Sequence, residues 1–498
     1  LLFHVVWNVS KMAFLNNVNM LGPCFTSLIS LSVALIVFIF GKQPNPYMDE
    51  VFHIPQVQKY CEHRFDQWDP MITTLPGLYF CSWGFIEFLA VAFKQDVKTI
   101  CMPLFLRMVN ILFNVGNIWV IYRIMRKLNE MKQAELSKKQ TDSSAASGVD
   151  NQEELNEREK FYQATTAVTL GLFPLLFFFM FLYYTDNGST FFVLFMYYLS
   201  LADYHVPAAI VGMYAFFFRQ TNIVWVVFTA GVTAVRMYEP VVLYKLGQRS
   251  NDSLNQILEF VKQVVLNIKI TIRFLWPYAL VLVFFVAFVF LNGGVAVGDK
   301  NHHKVCFNFP QIFYFACFAT FFSFVHVSSP STIFAAISYF LSLNQRHYRS
   351  AIIIFLFAVY YLVQNFTYVH PYLLADNRHY TFYVWKNIYK TYPEAKVALI
   401  PVYLICTTMI FVTIDRSRLW KIVYGICVAL LLIPQGLLEF RYFILPYLMY
   451  RIHIRRPEMW KLGGEFLMYA AINYFTMWAF LKKPFKWPNS NDEQRFMW

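Results

Sequence analysis

The chain has 498 residues, of which 58% are hydrophobic and only 14% carry a charge. Soluble proteins carry about a quarter charged residues, so this composition excludes a soluble protein and indicates an integral membrane protein. The net charge of +13 is typical of Lys and Arg in cytoplasmic loops and at the membrane interface. No basic domain stands apart from the apolar runs, so we do not expect nucleic-acid binding.

Apolar runs recur along the whole chain, many of them near the 17 to 25 residues that a membrane-spanning helix needs. They predict an all-α integral membrane protein with about 12 to 14 transmembrane helices, in contact with membrane lipids. The first run is long enough to span the membrane as an uncleaved helix. The runs lie near residues 21–40, 77–93, 101–123, 164–184, 189–204, 207–218, 222–237, 274–292, 309–327, 331–343, 351–364, 398–413, 419–436 and 462–481.

Residues 41–76 form the first loop, which concentrates ionisable side chains next to a membrane span. Pro44 and Pro46 predict the end of the first helix, and apolar residues at helical spacing predict an amphipathic surface helix over residues 50–60. Loops held by a rigid scaffold often carry function. We therefore interpret this segment as the catalytic loop of a membrane enzyme.

Asp49 directly precedes that predicted helix and is the first candidate for a catalytic residue. Backbone N–H groups and the helix dipole favour an ionised carboxylate there, which can accept the proton of an attacking hydroxyl. Glu50 is the less favoured acid. His53, one turn further on, either orients the acid or is an ordinary interfacial histidine. The alternative for Asp49 and Glu50 is a solvated acidic pair.

Two longer polar breaks interrupt the apolar runs. Residues 124–160 alternate in charge around a centre without apolar side chains, which predicts a disordered or loosely helical insert. The Lys- and Arg-rich break at 238–273 is predicted to face the cytoplasm. If the first loop faces the lumen, alternation of spans also places the insert in the lumen, unless one run between 77 and 123 is miscounted.

A second polar cluster lies in the segment 365–397, where cations alternate with aromatic side chains. Such a pattern suits a lipid-linked phosphate or a sugar ring, because Arg can hold phosphate oxygens through paired hydrogen bonds. The alternative is an interfacial belt of snorkelling cations and aromatics. The candidates for substrate binding here are Asp376, Asn377, Arg378, His379, Tyr380, Trp385 and Lys386.

Charged residues also interrupt apolar sequence at two other places. Arg219, followed by Gln220 and Asn222, lies between two apolar runs with almost no loop, and an Arg near bilayer depth tends to line a cavity. Glu439 and Arg441, two residues apart, suit structural pairing better than catalysis, although Arg441 remains a candidate for substrate binding.

The eight cysteines show no CxxC pair and no His/Cys spacing of a zinc site, so we expect neither a metal site nor a disulfide framework. One pair, Cys61 and Cys306, lies in loops assigned to the same side and could bond. A Gly-rich phosphate loop and a soluble nucleotide-binding domain are both absent from the sequence. Enzymes that use ATP or nucleotide sugars are therefore excluded.

Several long motifs extend from the first loop to the last residues of the sequence. They are MDEVFHIPQ (48–56), WDPMITTLPG (68–77), FRQTN (218–222), LADNRHYTFYVW (374–385), LEFRYFILP (438–446) and QRFMW (494–498). Together these motifs resemble one enzyme family, the dolichyl-phosphate-glucose alpha-1,2-glucosyltransferases of the endoplasmic reticulum. Trp68 and Asp69, in the second of these motifs, join the candidates for substrate binding.

The resemblance implies a GT-C type fold, a multi-pass helical glycosyltransferase of the endoplasmic reticulum membrane with a lumenal active site. It implies dolichyl-phosphate-glucose as donor, a dolichyl-diphosphate-linked oligosaccharide as acceptor, and neither cofactor nor metal. By similarity to enzymes of this architecture, an acid of the first lumenal loop is the base, which corresponds to Asp49. The reaction would be inverting, with Arg378 and His379 as the first choice to hold the leaving phosphate, then Lys386 and Arg219.

Two alternatives stay open at this point. A related enzyme of the same architecture could transfer mannose or form another linkage. A transporter or channel-associated subunit would instead predict inverted repeats and charges along a path through the bundle, whereas the charges here concentrate in loops. The oligomeric state is left open.

Overall fold

The computed structural model of the protein describes residues 18–140, 149–247, 253–300, 305–342, 349–489 and 492–498. Regular structure in these ranges is almost entirely helical, as predicted. Many apolar side chains face outward, such as Phe290 and Leu291, which are 85% and 84% exposed. A large outward apolar surface is typical of a protein that contacts lipid.

In the described residues, four helical segments are long and apolar enough to cross a bilayer by length and composition. The predicted all-α membrane fold is therefore confirmed, whereas the number of 12 to 14 spans stays a prediction. The four segments are Pro103–Ser137, Gln220–Leu246, Ile268–Asn292 and Ala395–Thr413. Shorter apolar helices are Ile29–Lys42, Gly77–Phe93, His205–Phe218, Pro310–Phe322 and Ile353–Asn365.

The first half consists of helices and a single-turn 3₁₀ segment in its described residues. They are α1 (Val18–Lys42), α2 (Glu50–Cys61), α3 (Gly77–Phe93), α4 (Val97–Ile100), α5 (Pro103–Gln140), α6 (Val149–Gly171), α7 (Pro174–Phe179), α8 (Asp186–Leu201), α9 (His205–Phe218), a 3₁₀ turn (Gln220–Asn222), α10 (Ile223–Leu246), α11 (Ser253–Leu266) and α12 (Ile268–Asn292).

The second half contains shorter helices and the small antiparallel sheet. Its elements are α13 (Pro310–Phe322), α14 (Phe324–Val327), α15 (Pro330–Ser342), α16 (Arg349–Asn365), α17 (Pro371–Ala375), α18 (Tyr380–Val384), a π-helical turn (Trp385–Lys390), α19 (Ala395–Ala398), α20 (Ile400–Thr413), α21 (Arg418–Leu432), a 3₁₀ turn (Phe440–Phe443), α22 (Ile444–Ile452), α23 (Met459–Lys482), β1 (Phe485–Lys486) and β2 (Glu493–Gln494).

Helix α2 is the amphipathic helix predicted for the first loop. It packs beside α3: His53 contacts Tyr79 near the start of α3, and His63, two residues after the end of α2, lies 3.6 Å from Glu87 in the middle of α3. Helix α3 therefore stays beside the first loop and does not carry the chain to the opposite end of the bundle. This is the miscounted run between 77 and 123.

The charged insert lies at the opposite end of the bundle from the first loop. Arg107, near the start of α5, contacts Glu50, whereas Lys132 pairs with Asp415 at 3.6 Å. These two positions of one helix are about 38 Å apart at 1.5 Å per residue. The assignment of the insert to the side of the first loop is therefore wrong, because α3 does not cross.

The break at 238–273 also lies at this opposite end. Helix α10 begins beside Arg219, near Asp186, and rises about 36 Å over its length. The described parts of the insert, 124–140 and 149–160, are helical. Its centre, residues 143–148, lies outside the described residues.

The disulfide differs from the predicted pair. Cys61, at the end of α2, is bonded to Cys101, and Cys306 is a free thiol. The short segment after α3 folds back over the end of α2, where Lys98 pairs with Glu62 at 3.4 Å. The pairing of Cys61 with Cys306 is wrong because this fold-back places a nearer cysteine against Cys61.

Candidate active site

A cavity of about 380 Å³ lies beside the first loop. Its size falls in the range of about 300 to 1,000 Å³ that small-molecule sites occupy. Three separate stretches of sequence build most of its wall, namely the first loop, the 372–381 region and the 437–441 region. The lining residues are Met48, Asp49, Tyr184, Tyr372, Leu373, Ala375, Asp376, Arg378, His379, Thr381, Leu437, Leu438, Glu439, Arg441 and Trp487.

Asp49 lies on this wall, directly before α2. Its backbone N–H donates to the Tyr184 hydroxyl at 3.1 Å, and its carboxylate Oδ2 lies 3.2 Å from the Arg441 guanidinium. Burial raises the pKa of Asp49, but the nearby charge of Arg441 and its hydrogen bond outweigh this and hold the pKa below its ordinary value. The carboxylate is therefore ionised at neutral pH.

Arg441 is surrounded by three carboxylates. Its guanidinium lies 2.8 Å from Glu439, 3.2 Å from Asp49 and 3.8 Å from Asp186, and it covers the Tyr184 ring at 5.2 Å. The predicted pairing of Glu439 with Arg441 is present, but the same arginine also faces the cavity. Burial lowers the pKa of Arg441, and the three acids more than reverse this, so the guanidinium is permanently charged.

Asp186, which was not among the predicted site residues, lies behind Arg441 at the start of α8 and is 2% exposed. Its carboxylate lies 3.0 Å from Arg219, whose Nε donates to the Thr185 hydroxyl at 3.0 Å. A small polar cavity of about 30 Å³ adjoins this group and has room for water. The sequence did contain a signal for Asp186, which lies between two apolar runs. A carboxylate near bilayer depth is costly and is usually functional.

Glu50 has a different environment from its neighbour Asp49. It is fully buried, and its two oxygens accept hydrogen bonds from Arg107 at 2.8 and 2.7 Å. The backbone N–H groups of Tyr47 and Tyr183 also donate to it, at 3.0 and 2.6 Å. Glu50 does not line the cavity, so its geometry is that of a structural ion pair.

His53 lies one turn behind Asp49, outside the cavity lining. Its Nδ1 is 2.5 Å from the Tyr79 hydroxyl. Burial lowers the pKa of His53 to about 4, against the opposing effect of Asp49 and with a further lowering by Arg441. The ring is therefore neutral at pH 7.

The 376–379 cluster lines the same cavity as Asp49 of the first loop. Arg378 donates to both Asp376 oxygens, at 2.8 and 2.7 Å, and stacks on Trp487 at 4.8 Å. His379 Nδ1 lies 2.9 Å from the Trp498 carbonyl oxygen. Burial raises the pKa of Asp376, and hydrogen bonds from Arg378 outweigh this and lower it.

Four other candidates of this segment do not reach the cavity lining. Lys386 is exposed and lies over the Phe382 ring at 5.7 Å. The buried Trp385 stacks on Tyr389, the Tyr380 ring packs against Trp498, and Asn377 accepts a hydrogen bond from Trp487.

The remaining candidates support the local fold around the site. Trp68 packs edge-on against Tyr79, and Asp69 accepts a hydrogen bond from the Met71 N–H at 2.9 Å. Gln220 donates to the Thr73 carbonyl at 2.8 Å. Asn222 donates to Ser189 at 2.8 Å and lines the small cavity.

In the part of the chain that the structure describes, no three His, Cys, Asp or Glu side chains converge as metal ligands would. The carboxylates of Asp49, Asp186 and Glu439 surround the Arg441 guanidinium instead.

Comparison with known proteins identifies the family. The model of the DIE2/ALG10 family matches residues 43–452, which is most of the chain and includes the three stretches that build the cavity. The chain belongs to the DIE2/ALG10 family. The resemblance found in the sequence is thereby confirmed.

Curated relatives of the DIE2/ALG10 family match nearly full length. A human protein named Dol-P-Glc:Glc(2)Man(9)GlcNAc(2)-PP-Dol alpha-1,2-glucosyltransferase is 42% identical, over 96% of this chain and 99% of its own length. Proteins with the same name from Drosophila melanogaster and Arabidopsis thaliana are each 32% identical over 91% of this chain. They are covered over 93% and 95% of their lengths. No solved structure matches the chain.

Proposed function

We propose that this protein transfers glucose from dolichyl-phosphate-glucose, in alpha-1,2 linkage, to the Glc(2)Man(9)GlcNAc(2)-PP-Dol acceptor. The family membership and the names of its relatives support the substrates. The observation that carries the mechanism is the position of Asp49, an ionised carboxylate on the cavity wall only 3.2 Å from the Arg441 guanidinium.

Asp49 acts as the general base of a single inverting displacement. It takes the proton from the acceptor hydroxyl, and that oxygen attacks C1 of glucose while the bond between C1 and the phosphate oxygen breaks. The leaving group is dolichyl phosphate, which departs with the electron pair. A beta-linked donor thus gives an alpha-linked product in one step.

Cations at the same cavity stabilise the leaving phosphate. Charge that develops in a transition state is best met by donors already held in place. Arg441 and Arg378 both line the cavity, and the carboxylates around them fix their orientation before the substrate arrives. His379 is a third donor, whereas Lys386 lies away from the cavity and has no direct role.

The reaction proceeds without a metal ion, with arginine charge in the place of a divalent cation. Donor and acceptor both carry dolichol, which supports a location in the endoplasmic reticulum membrane. The first loop and the cavity then face the lumen, and the Lys-rich opposite end faces the cytoplasm.

The test is glucose transfer by the purified protein, with and without EDTA, and analysis of the anomeric configuration and position of the new bond. Asp49→Asn keeps the side-chain shape and removes the base, so transfer should fall on the order of a hundredfold or more with donor binding intact. Asp69→Asn, in the same loop, changes a carboxylate that accepts from the Met71 N–H and does not line the cavity, so it is the matched control and should remain active.

Four results would contradict the proposal, each in one of its three parts: substrates, base and metal independence. Absence of transfer by the unmodified protein, or transfer of mannose in place of glucose, contradicts the substrate assignment. An active Asp49→Asn variant removes Asp49 as the base. Loss of activity in EDTA contradicts the metal-free mechanism.

A further inference from the structure

Residues 493–498, here called the connecting segment, lie between the loops that build the cavity although they contribute nothing to its lining. The first half of the segment includes β2, which pairs with β1 in register Phe485 to Gln494. The hairpin thus holds the segment in place beside the site. The QRFMW motif falls in this segment and takes no direct part in the proposed chemical step.

The connecting segment binds the first loop through Arg495. The Tyr47 hydroxyl donates to the Arg495 carbonyl at 2.7 Å and accepts from the Arg495 N–H at 2.8 Å. The Arg495 side chain, 5% exposed, donates to Gln43 Oε1 at 2.9 Å and to the Lys42 carbonyl at 3.3 Å. Tyr47 is two residues from Asp49, so these bonds fix the backbone that leads to the proposed base.

The same segment binds the 378–380 region on its other side. The Met497 N–H donates to the Arg378 carbonyl at 2.9 Å, and the Tyr380 N–H donates to the Met497 carbonyl at 3.3 Å. These two bonds form a short parallel bridge at His379. The Gln494 side chain accepts from the Arg378 guanidinium at 3.0 Å, and so orients a cation of the cavity directly.

Trp498 extends the contacts to the third wall of the cavity. Its ring lies 6.0 Å from Phe440, the neighbour of Arg441, and 5.1 Å from Tyr380. Its carbonyl oxygen contacts His379 Nδ1 at 2.9 Å. One six-residue segment is therefore bonded to, or packed on, all three stretches of sequence that line the cavity.

We propose that the connecting segment positions the acid and the phosphate-binding cations relative to one another, with Tyr47 and Gln494 as positioning residues. This inference rests on the proposed function. Asp49 and Arg378 are far apart in sequence, and a shift of about 1 Å between reacting groups can cost a hundredfold in rate. Hydrogen bonds that join their two loops through one rigid strand keep that distance constant.

The first experiment compares Tyr47→Phe with Tyr238→Phe in the full-length protein. Both changes remove a buried tyrosine hydroxyl bond, but that of Tyr238, to Thr271 at 2.7 Å, lies at the opposite end of the bundle. We expect Tyr47→Phe to lower kcat about tenfold and to speed hydrogen–deuterium exchange at residues 376–381. Tyr238→Phe should leave both kcat and the exchange at residues 376–381 unchanged. The two variants should change the melting temperature by similar amounts.

The second experiment concerns the orientation of Arg378. Gln494→Met removes the acceptor and should raise the KM for dolichyl-phosphate-glucose, and Gln494→Glu supplies an acceptor again and should restore it. The positioning role would be overturned by equal kinetics for the unmodified protein, Gln494→Met and Gln494→Glu. Unchanged hydrogen–deuterium exchange at residues 376–381 in Tyr47→Phe would also overturn it. Exchange is measured without turnover, so this outcome is distinct from a failure of glucose transfer in the unmodified protein.

Discussion

Arg441 and Asp49 form an ion pair at 3.2 Å on the wall of the cavity. Asp49, the proposed general base, and Arg441, a cation proposed to bind the phosphate, therefore neutralise each other before substrate binds. In the proposed mechanism, a donor phosphate that attracts Arg441 would weaken the ion pair with Asp49 and so raise the basicity of the carboxylate.

Replacement of Arg441 should damage catalysis through both partners. We expect Arg441→Gln to lower kcat/KM by about a hundredfold to a thousandfold, the usual cost of one lost transition-state donor. The pKa of Asp49 should move up, because Arg441 is the largest influence that lowers it. Steady-state kinetics against pH measure both effects, and Lys386→Met serves as the control because Lys386 lies outside the cavity. A normal rate in Arg441→Gln would contradict its role.

The Glu50–Arg107 pair should matter for folding and not for the chemical step. Glu50→Gln leaves a buried arginine without its charge partner, which costs about 3 to 5 kcal/mol in comparable cases. The expected result is a lower melting temperature and a lower yield of folded protein. The double variant Glu50→Gln/Arg107→Met should recover part of the stability. A stable Glu50→Gln protein without transfer activity would instead identify Glu50 as the base.

Asp186→Asn should misplace the two arginines that share this carboxylate. Asp186 lies 3.0 Å from Arg219 and 3.8 Å from Arg441, so the neutral variant removes their common charge partner. We expect a raised KM for the donor and a loss of kcat/KM of up to about a hundredfold, the cost of a shift of about 1 Å between reacting groups. Asp203→Asn breaks an exposed ion pair with Arg236 and is the control. Equal kinetics for the two variants would show that Asp186 has no influence on the site.

The disulfide should stabilise the first loop. Cys61 and Cys101 are separated by 40 residues, and a crosslink of this length contributes about 3 to 4 kcal/mol in the chain-entropy account. Cys61→Ser and Cys101→Ser should each lower the melting temperature, and the double variant should add little to either. Cys306→Ser changes a free thiol and should be neutral. A melting temperature that is unchanged by reductant and by the Cys61→Ser and Cys101→Ser variants would contradict the disulfide.

His53 should make stability depend on pH in one defined window. Its pKa is about 4 in the folded protein, below the ordinary value of 6.5. Between these values the unfolded chain binds the proton and the folded protein does not, so stability from this group is complete above pH 6.5 and is lost as pH falls to about 4. Melting temperatures of the unmodified protein and His53→Gln should differ by a constant amount above pH 6.5 and converge below it. A constant difference down to pH 4 would show that the histidine is not held neutral.

Much of the molecule was predictable from residue types and their spacing. Long apolar runs predicted a helical membrane protein because every backbone polar group in lipid must be paired within the chain. The prolines and apolar spacing after Pro46 predicted α2, and the motif MDEVFHIPQ carried the family resemblance that the comparisons confirmed. These are local features, and local sequence is sufficient to specify them.

The arrangement of the site depended on contacts between residues far apart in the chain. The sequence has two adjacent acids, and only the fold distinguishes them: Glu50 points to Arg107 inside the bundle, and Asp49 faces Arg441 and the cavity. The partner of Cys61 and the side of the charged insert were likewise decided by α3, which folds beside the first loop. Periodicity shows that a segment is helical and apolar, but the direction in which a helix leaves its neighbour is set by tertiary packing.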